Sequence, residues 1–143
     1  MIKIKGIHHV AIKANGVEQF EKTINFYKEI LGLPLIRRWE KGGAFCAMLD
    51  TGAGILELFS NADCEPQLGP LRHIAFEVES VDDCIEAVRA AGYQITVEPK
   101  DVDIPSDPVF PIRVGFCIGA AGEEVEFFAT RKALPSRLRR IRA

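Results

Sequence analysis

Two histidines and two glutamates stand at matching places in the two halves of this 143-residue sequence. His9 begins the apolar run His-Val-Ala-Ile, and His73 begins His-Ile-Ala-Phe. Further along, each half carries one glutamate inside an apolar run, Glu57 in Ile-Leu-Glu-Leu-Phe and Glu126 in Val-Glu-Phe-Phe. Imidazole nitrogen and carboxylate oxygen form a donor set that suits Zn, Ni, Co, Mn or Fe(II). The pattern therefore indicates an internal repeat with a divalent metal site.

The cost of burying a carboxylate supports this hypothesis. An unpaired glutamate inside an apolar strand is expensive, so Glu57 and Glu126 each need water, a cation or a metal nearby. A single histidine on a strand is more often a partly buried structural residue, but the repeat makes the four positions dependent on one another. His8 is a rival ligand to His9. Its alternation with Val10 and Ile12 predicts that it faces the packing side, so His9 is preferred.

The elements that must position these residues are predicted from periodicity. In the first half, Phe20, Ile24, Tyr27 and Leu31 form one apolar stripe of a helix that ends at Gly32. In the second half, Ser80 is the predicted N-cap of a helix that ends at Gly92. Each half therefore reads β-α-β-β-β. The predicted strands cover residues 7–13, 33–39, 44–49 and 54–59 in the first half, and 73–78, 94–98, 113–118 and 124–129 in the second.

Strand alternation gives the four residues a common side. In each of the four strands, the His or Glu alternates away from the apolar face that is suited to pack against helices. A curved sheet with helices on its convex side would bring all four side chains to its concave side. An ion held there would retain open positions for water or a substrate's neighbouring oxygens and would stabilise a developing enolate, while a glutamate moves the proton.

The stretches outside the strands and helices mark the boundaries of the two modules, the linker between them and the tail. The two modules cover about residues 5–61 and 70–130, within a single domain over 1–143. The polar stretch 61–70 is the predicted linker, and the basic tail 131–143 is predicted to be solvated. Residues 99–111 hold four of the eight prolines, so they are predicted to form a loop that could cover a site.

Composition excludes several classes of function. The net charge of −2 gives no electrostatic case for nucleic acid binding, and no apolar run approaches the roughly 20 residues of a membrane helix. The first residues lack the apolar core of a signal peptide, so a cytoplasmic location is expected. The four cysteines, Cys46, Cys64, Cys84 and Cys117, form no CxxC pair and are predicted to be reduced and mostly buried.

These residues resemble the vicinal oxygen chelate superfamily, which includes glyoxalase I, methylmalonyl-CoA epimerase, extradiol dioxygenases and bleomycin-type resistance proteins. The resemblance covers about residues 5–130 and is carried by HHVAIKA, FYKEILGLPL, ILELFSN, RHIAFEVES, AAGYQI and EEVEFF. It implies an α+β fold in which two βαβββ modules form an open mixed-sheet barrel around a metal. The ligand positions that it implies are His9, Glu57, His73 and Glu126.

Within the superfamily the sequence is most similar to glyoxalase I, a lyase that isomerises the thiol adduct of a 2-oxoaldehyde through an enediolate. This similarity implies that Glu126 and Glu57 are the catalytic candidates and that glutathione or another thiol is the co-substrate. It also implies that Asn61 contacts the thiol ligand. Lys13 stands where an arginine is usual, which keeps the charge but loses two-pronged carboxylate recognition. The turn 119–123 also departs from the usual Asp-Pro-Asp-Gly sequence.

Two other functions remain open at this point. A methylmalonyl-CoA epimerase would use the same four ligands and the same enolate chemistry. A non-catalytic protein that binds a drug or another small molecule would be marked by a missing ligand, and none is missing. A ring-cleaving dioxygenase is less favoured, because its two-His-one-carboxylate iron site does not call for Glu57. A homodimer is expected, because half-open barrels leave edges and apolar surface to cover.

Overall fold

A computed structural model describes residues 1–3, 5–63, 65 and 69–131. Cys64, part of the predicted linker and the basic tail from residue 132 onward therefore lie outside the described residues. The chain divides into two compact units. The first contains residues 1–69 together with the short segment 119–123, and the second contains residues 70–118 and those from 124 onward.

The first unit has the predicted β-α-β-β-β order. Its sheet has the strand order β1-β4-β3-β2, in which β1 is parallel to β4 and the other neighbours are antiparallel. A π-helical turn, Phe26–Ile30, continues the helix before the chain enters β2. The elements are β1 (His9–Lys13), α1 (Val17–Asn25), β2 (Leu35–Lys41), β3 (Ala44–Asp50) and β4 (Ile55–Phe59).

The apolar stripe of α1 packs on one face of this sheet. Phe20, Ile24 and Tyr27 are buried, as the periodicity predicts, and the Phe20 ring lies 6.4 Å from that of Phe45 on β3. The helical segment ends where Gly32 adopts a φ of 77°, a conformation that favours glycine. The helix therefore covers one face of the sheet and leaves the side chains of the opposite face for another role.

The second unit repeats the arrangement. Its sheet has the order β5-β8-β7-β6, again with one parallel pair, β5 with β8. Its elements are β5 (Ile74–Glu77), α2 (Val81–Ala90), β6 (Ile95–Ile104), β7 (Phe110–Ile118) and β8 (Glu124–Thr130). The two βαβββ modules with mixed sheets confirm the predicted α+β class.

Helix α2 is fixed at both ends and along its buried face. The Ser80 side chain accepts a hydrogen bond from the Asp83 amide at 3.1 Å, which confirms the predicted N-cap. Val81, Ile85 and Val88 are buried. Val81 and Ile85 pack closely over Gly115 of β7, where an added Cβ would lie 2.8 Å from Ile85. Beyond the helix, Gly92 has a φ of 88°, as its predicted role at the helix end requires.

The predicted loop over residues 99–111 is wrong. β6 extends through this stretch to Ile104, and β7 begins at Phe110, so only residues 105–109 connect the two strands. β6 is an edge strand, and its register with β7 shifts between Val97 and Lys100. Pro99 lies at that irregularity. Proline has no backbone N–H to donate, and an irregular edge strand tolerates this.

Two predictions from composition can be compared with the described residues. Cys46, Cys84 and Cys117 are free thiols, with Cys46 and Cys117 buried and Cys84 half-buried. In the part of the chain that the structure describes, no helix is long and apolar enough to cross a membrane.

Candidate functional site

His73 and Glu126 meet on one face of the second sheet. His73 immediately precedes β5, and Ala75 of β5 pairs with Glu126 in the parallel register with β8. Since side chains alternate along a strand, His73 and Glu126 project from the same face. Nε2 of His73 lies 2.9 Å from Oε2 of Glu126. The strand phase predicted from the sequence thus leads to a direct imidazole–carboxylate contact.

The Glu126 carboxylate is the buried member of this pair. The residue is only 8% exposed. Burial raises the pKa of its carboxyl group, His73 opposes this rise by charge and hydrogen bonding, and the charge of Glu124 adds to it. The ring of Phe116 on β7 stands edge-on to the His73 ring at 5.4 Å. A carboxylate in such surroundings binds protons, and by the same argument cations, more readily than an exposed one.

His9 and Glu57 share a face of the first sheet in the same way. Ala11 of β1 pairs with Glu57 of β4 in parallel register, so His9, two residues before Ala11, projects from the Glu57 side. Glu57 is half-buried between Leu56 and Leu58, whose buried side chains point to the opposite face. Each unit therefore places one imidazole and one carboxylate on a single sheet face.

The charge of Glu57 affects the pKa of a neighbouring thiol, that of Cys46. Cys46 lies on β3 two residues from Met48, the residue that pairs with Glu57. The pKa of the Cys46 thiol is raised, first by burial and then by the charge of Glu57, while Lys41 acts in the opposite direction. The thiol is consequently held in its neutral form beside the carboxylate.

His8 differs from its predicted position on the packing side. It is exposed and precedes the first residue of β1. Nδ1 of His8 lies 3.0 Å from Nδ1 of His9, and the two rings are nearly perpendicular with centroids 5.2 Å apart. His8 is thus a neighbour of the preferred histidine.

The two predicted substrate contacts lie near the ends of β1 and β4. Lys13 is exposed, and alternation places it on the face of His9 and Glu57. Asn61 follows β4, is exposed, and forms an isolated antiparallel bridge with Asn15. Both residues therefore lie at the same end of the β1–β4 pair.

The donor chemistry of the four residues fits a divalent ion. Each unit has one imidazole nitrogen and one carboxylate on a sheet face, and the Glu126 carboxylate lies within hydrogen-bond distance of Nε2 of His73. Among the described residues, however, no three His, Cys, Asp or Glu side chains gather closely enough to form a metal site. The structure thus places His73 in contact with Glu126 and His9 on the same sheet face as Glu57, and the set of four stays a prediction.

Comparison with known proteins identifies the family. Residues 6–106 match the family described as the Glyoxalase/Bleomycin resistance protein/Dioxygenase superfamily. The chain belongs to this superfamily. It includes enzymes such as glyoxalase I together with many non-catalytic members, and its members generally bind divalent metals.

Individual proteins resemble the chain over most of its length. The uncharacterized protein YwkD of Bacillus subtilis is 33% identical over 121 residues, which cover 79% of this chain and 88% of YwkD. A glyoxalase family protein from Enterococcus faecalis has a TM-score of 0.68 at 27% identity, with 87% of this chain and 97% of that chain covered. The trypanothione-dependent glyoxalase I of Leishmania major shares the fold, with a TM-score of 0.67 at 21% identity over 88% of this chain and 87% of that chain.

Glu123 provides a second largely buried carboxyl group, and nothing in the sequence pattern indicated its burial. Glu123, in the turn 119–123 of the first unit, accepts a hydrogen bond from the Tyr27 hydroxyl at 3.1 Å and from the Ala121 amide at 3.2 Å. Burial raises its pKa to about 7, against these two hydrogen bonds. An added Cβ at Gly119 would overlap the Glu123 carboxylate, so a larger residue there would displace this side chain.

Phe116 was also missed by sequence reasoning. It lies opposite Glu126 in the β7–β8 register and contacts the His73 ring. The alternation within β7 was visible in the sequence, but the pairing of that strand with β8 was not. A neighbour from another strand can be assigned only when the register is known.

Proposed function

We propose that the protein is a divalent-metal-dependent isomerase, or lyase, of the glyoxalase I type, which converts the thiol adduct of a 2-oxoaldehyde into a thioester. The observation that carries the proposal is the contact between buried Glu126 and His73, in a strand register that recurs for Glu57 and His9. Membership of a superfamily that includes glyoxalase I supports it.

The proposed ligands are His9, Glu57, His73 and Glu126. Two neutral imidazoles and two carboxylates carry a combined charge of −2, which favours a divalent cation, and the mixed N/O set suits Zn, Ni, Co, Mn or Fe(II). When bound, the cation supplies positive charge that stabilises negative charge developing on the two neighbouring oxygens of the substrate.

Glu126 is the proposed base. Its buried carboxylate has a raised pKa, which increases its affinity for a proton taken from the carbon that bears the sulfur. The same carboxyl group then returns that proton to the adjacent carbon, the former ketone carbon, while the hydroxyl proton on the sulfur-bearing carbon moves to the former ketone oxygen. The net change is an isomerisation to a thioester, with no oxidant or reductant consumed. Glu57 is the second candidate for this role, since it stands in the matching position of the other unit.

Lys13 and Asn61 are the proposed contacts to the thiol part of the substrate. The Lys13 ammonium, exposed on the His9 side of β1, would pair with a carboxylate of glutathione or another acidic thiol. Asn61 would supply a hydrogen bond at the same end of the strand pair. A homodimer in the cytoplasm is the proposed assembly and location.

The proposal is tested by turnover. The protein, loaded separately with Zn²⁺, Ni²⁺ or Co²⁺, is supplied with methylglyoxal and an excess of glutathione, coenzyme A or another thiol, and thioester formation is followed. We expect turnover with at least one pair of metal and thiol. Glu126→Gln should lower kcat by roughly 100-fold or more, the usual contribution of a positioned base. Glu79→Gln, at an exposed residue outside the strands, is the matched control and should retain parental turnover.

Two results would replace the proposed reaction. Deuterium uptake from solvent at the acidic carbon of methylmalonyl-CoA, without thioester formation from any thiol adduct, would make the protein an epimerase that uses the same residues. Binding of metal without turnover of either substrate class would make it a non-catalytic small-molecule binding protein.

A further inference from the structure

The contact between His8 and His9 constrains which ring nitrogen of His9 is protonated. The two Nδ1 atoms are 3.0 Å apart, a hydrogen-bond distance. Between two neutral imidazoles such a contact needs one Nδ1–H donor and one unprotonated Nδ1 acceptor. One of the two rings must therefore be in the Nδ1–H form and the other in the Nε2–H form.

Only one of these two arrangements leaves His9 able to bind a cation through its free nitrogen. If His9 donates, its Nε2 carries no proton and has a lone pair available. If His8 donates instead, His9 accepts at Nδ1 and carries its proton on Nε2, so neither nitrogen is available. A metal ligand commonly donates its other ring N–H to a fixed partner, which sets both the tautomer and the ring orientation.

We propose that His8 is a positioning residue that accepts a hydrogen bond from Nδ1–H of His9 and thereby keeps Nε2 of His9 free to bind the divalent cation. This inference rests on the proposed metal site. His8 does not touch the ion or the substrate and acts only through His9.

The backbone holds His8 in place for this role. Its carbonyl accepts a hydrogen bond from the Ile55 amide of β4 at 3.0 Å, and His9 is the residue paired with Ile55 in the sheet. This hydrogen bond therefore fixes the backbone of His8, the residue whose ring is the proposed hydrogen-bond acceptor. Although the His8 side chain is exposed, the backbone to which it is attached is held by the sheet.

The second unit orients its histidine by other means. Arg72 occupies the position that corresponds to His8, and arginine has no acceptor atom in its side chain. His73 instead contacts Glu126 through Nε2, and its ring lies nearly perpendicular to the Phe116 ring. The device at His9 is therefore particular to the first unit, and its removal leaves the contacts of His73 untouched.

Nitrogen-15 NMR on the metal-free protein tests the tautomer directly. Long-range ¹H–¹⁵N spectra at pH 8, well above the ordinary histidine pKa of about 6.5, distinguish Nδ1–H from Nε2–H for each ring. The three histidine signals are assigned with single substitutions. We expect His9 in the Nδ1–H form in the parent, and a shift to the Nε2–H form, the usual preference of a solvated histidine, in His8→Phe. An Nε2–H form of His9 in the parent, or no change in His8→Phe, overturns the proposal.

Metal affinity provides the second readout. His8→Phe keeps a ring but removes the acceptor, whereas His8→Asn is the matched control that keeps an acceptor oxygen near the position of Nδ1. With Ni²⁺ as the probe in a competition titration, His8→Phe should raise the Kd by about 10-fold or more, and His8→Asn should stay within about threefold of the parent. His9→Ala should weaken binding at least as much as His8→Phe.

The outcomes separate this inference from the proposed function. If the parent binds Ni²⁺ and His8→Phe binds it equally well, the positioning role is overturned while the metal site stands. If the parent binds no divalent ion, the proposed metal site fails and the role of His8 fails with it.

Discussion

Replacing Glu123 by glutamine should remove a large part of the pH dependence of stability. The Glu123 carboxyl is largely buried, and burial raises its pKa to about 7 from an ordinary value of 4.5. Its folded-state pKa therefore lies above its unfolded value, so the folded state holds the proton more tightly. The resulting stabilisation is fully present below about pH 4.5 and is lost as the pH rises through about 7.

The size of the effect follows from the two pKa values. The interval between 4.5 and about 7 corresponds to about 3 kcal/mol at about 1.4 kcal/mol per pKa unit, most of which, about 2–3 kcal/mol, falls between pH 5 and pH 8. Glutamine has nearly the same shape but cannot ionise. The two hydrogen bonds reach different oxygens of Glu123, so the glutamine carbonyl can accept from the Ala121 amide while its NH2 group donates to the Tyr27 hydroxyl oxygen. Relative to the parent, Glu123→Gln should gain about 2–3 kcal/mol of stability from pH 5 to pH 8.

Urea denaturation at pH 5, 6, 7 and 8 measures this gain. Trp39, the one tryptophan of the chain, lies in β2 of the unit that also contains Glu123, so its fluorescence follows the relevant unit. The difference between parent and variant at each pH removes the contributions of the three histidines. Glu79→Gln is the exposed control and should follow the parent at every pH. Parallel stability curves for the parent and Glu123→Gln would refute the reasoning.

Three further substitutions test the packing that positions the site. Tyr27→Phe removes a donor to the ionised Glu123 carboxylate, so its pKa should rise further and the loss of stability above pH 7 should steepen in the same titration. Ser80→Ala removes the N-cap of α2 and should lower the free energy of unfolding by about 1 kcal/mol, with Ser80→Asn restoring most of it. Gly115→Ala places a methyl group against Ile85 and should cost about 1–3 kcal/mol in urea denaturation, whereas Gly69→Ala, with open space around it, should cost little.

Much of the fold was predictable because local signals agreed with one another. The apolar stripe of α1, the glycine at each helix end and the Ser80 cap are all local features, and the structure confirms them. Strand alternation also placed His73 and Glu126 on one face before their pairing was known. Such features depend only on neighbours in the chain.

The wrong prediction of a loop over residues 99–111 and the missed residues Glu123 and Phe116 have one physical cause. Pro99 is incompatible with an inner strand, but the sequence does not reveal that β6 lies at the edge of its sheet and is irregular at that point. The burial of Glu123 depends on Tyr27, 96 residues away in the chain, and the contact of Phe116 with His73 depends on strand order. These features are set by long-range pairing, which no local pattern specifies.

The central claim is that one divalent ion binds to His9, Glu57, His73 and Glu126, and metal analysis tests it most directly. The protein is purified without chelator or metal-affinity tag, and its metal content is measured by elemental analysis before and after addition of Zn²⁺, Ni²⁺ or Co²⁺, beside His73→Ala and Glu126→Ala. The account predicts about one ion per chain in the parent and a large loss in both variants, as expected when a ligand is removed. No bound metal in the parent under any of these conditions, or equal metal content in the parent and both variants, would contradict it.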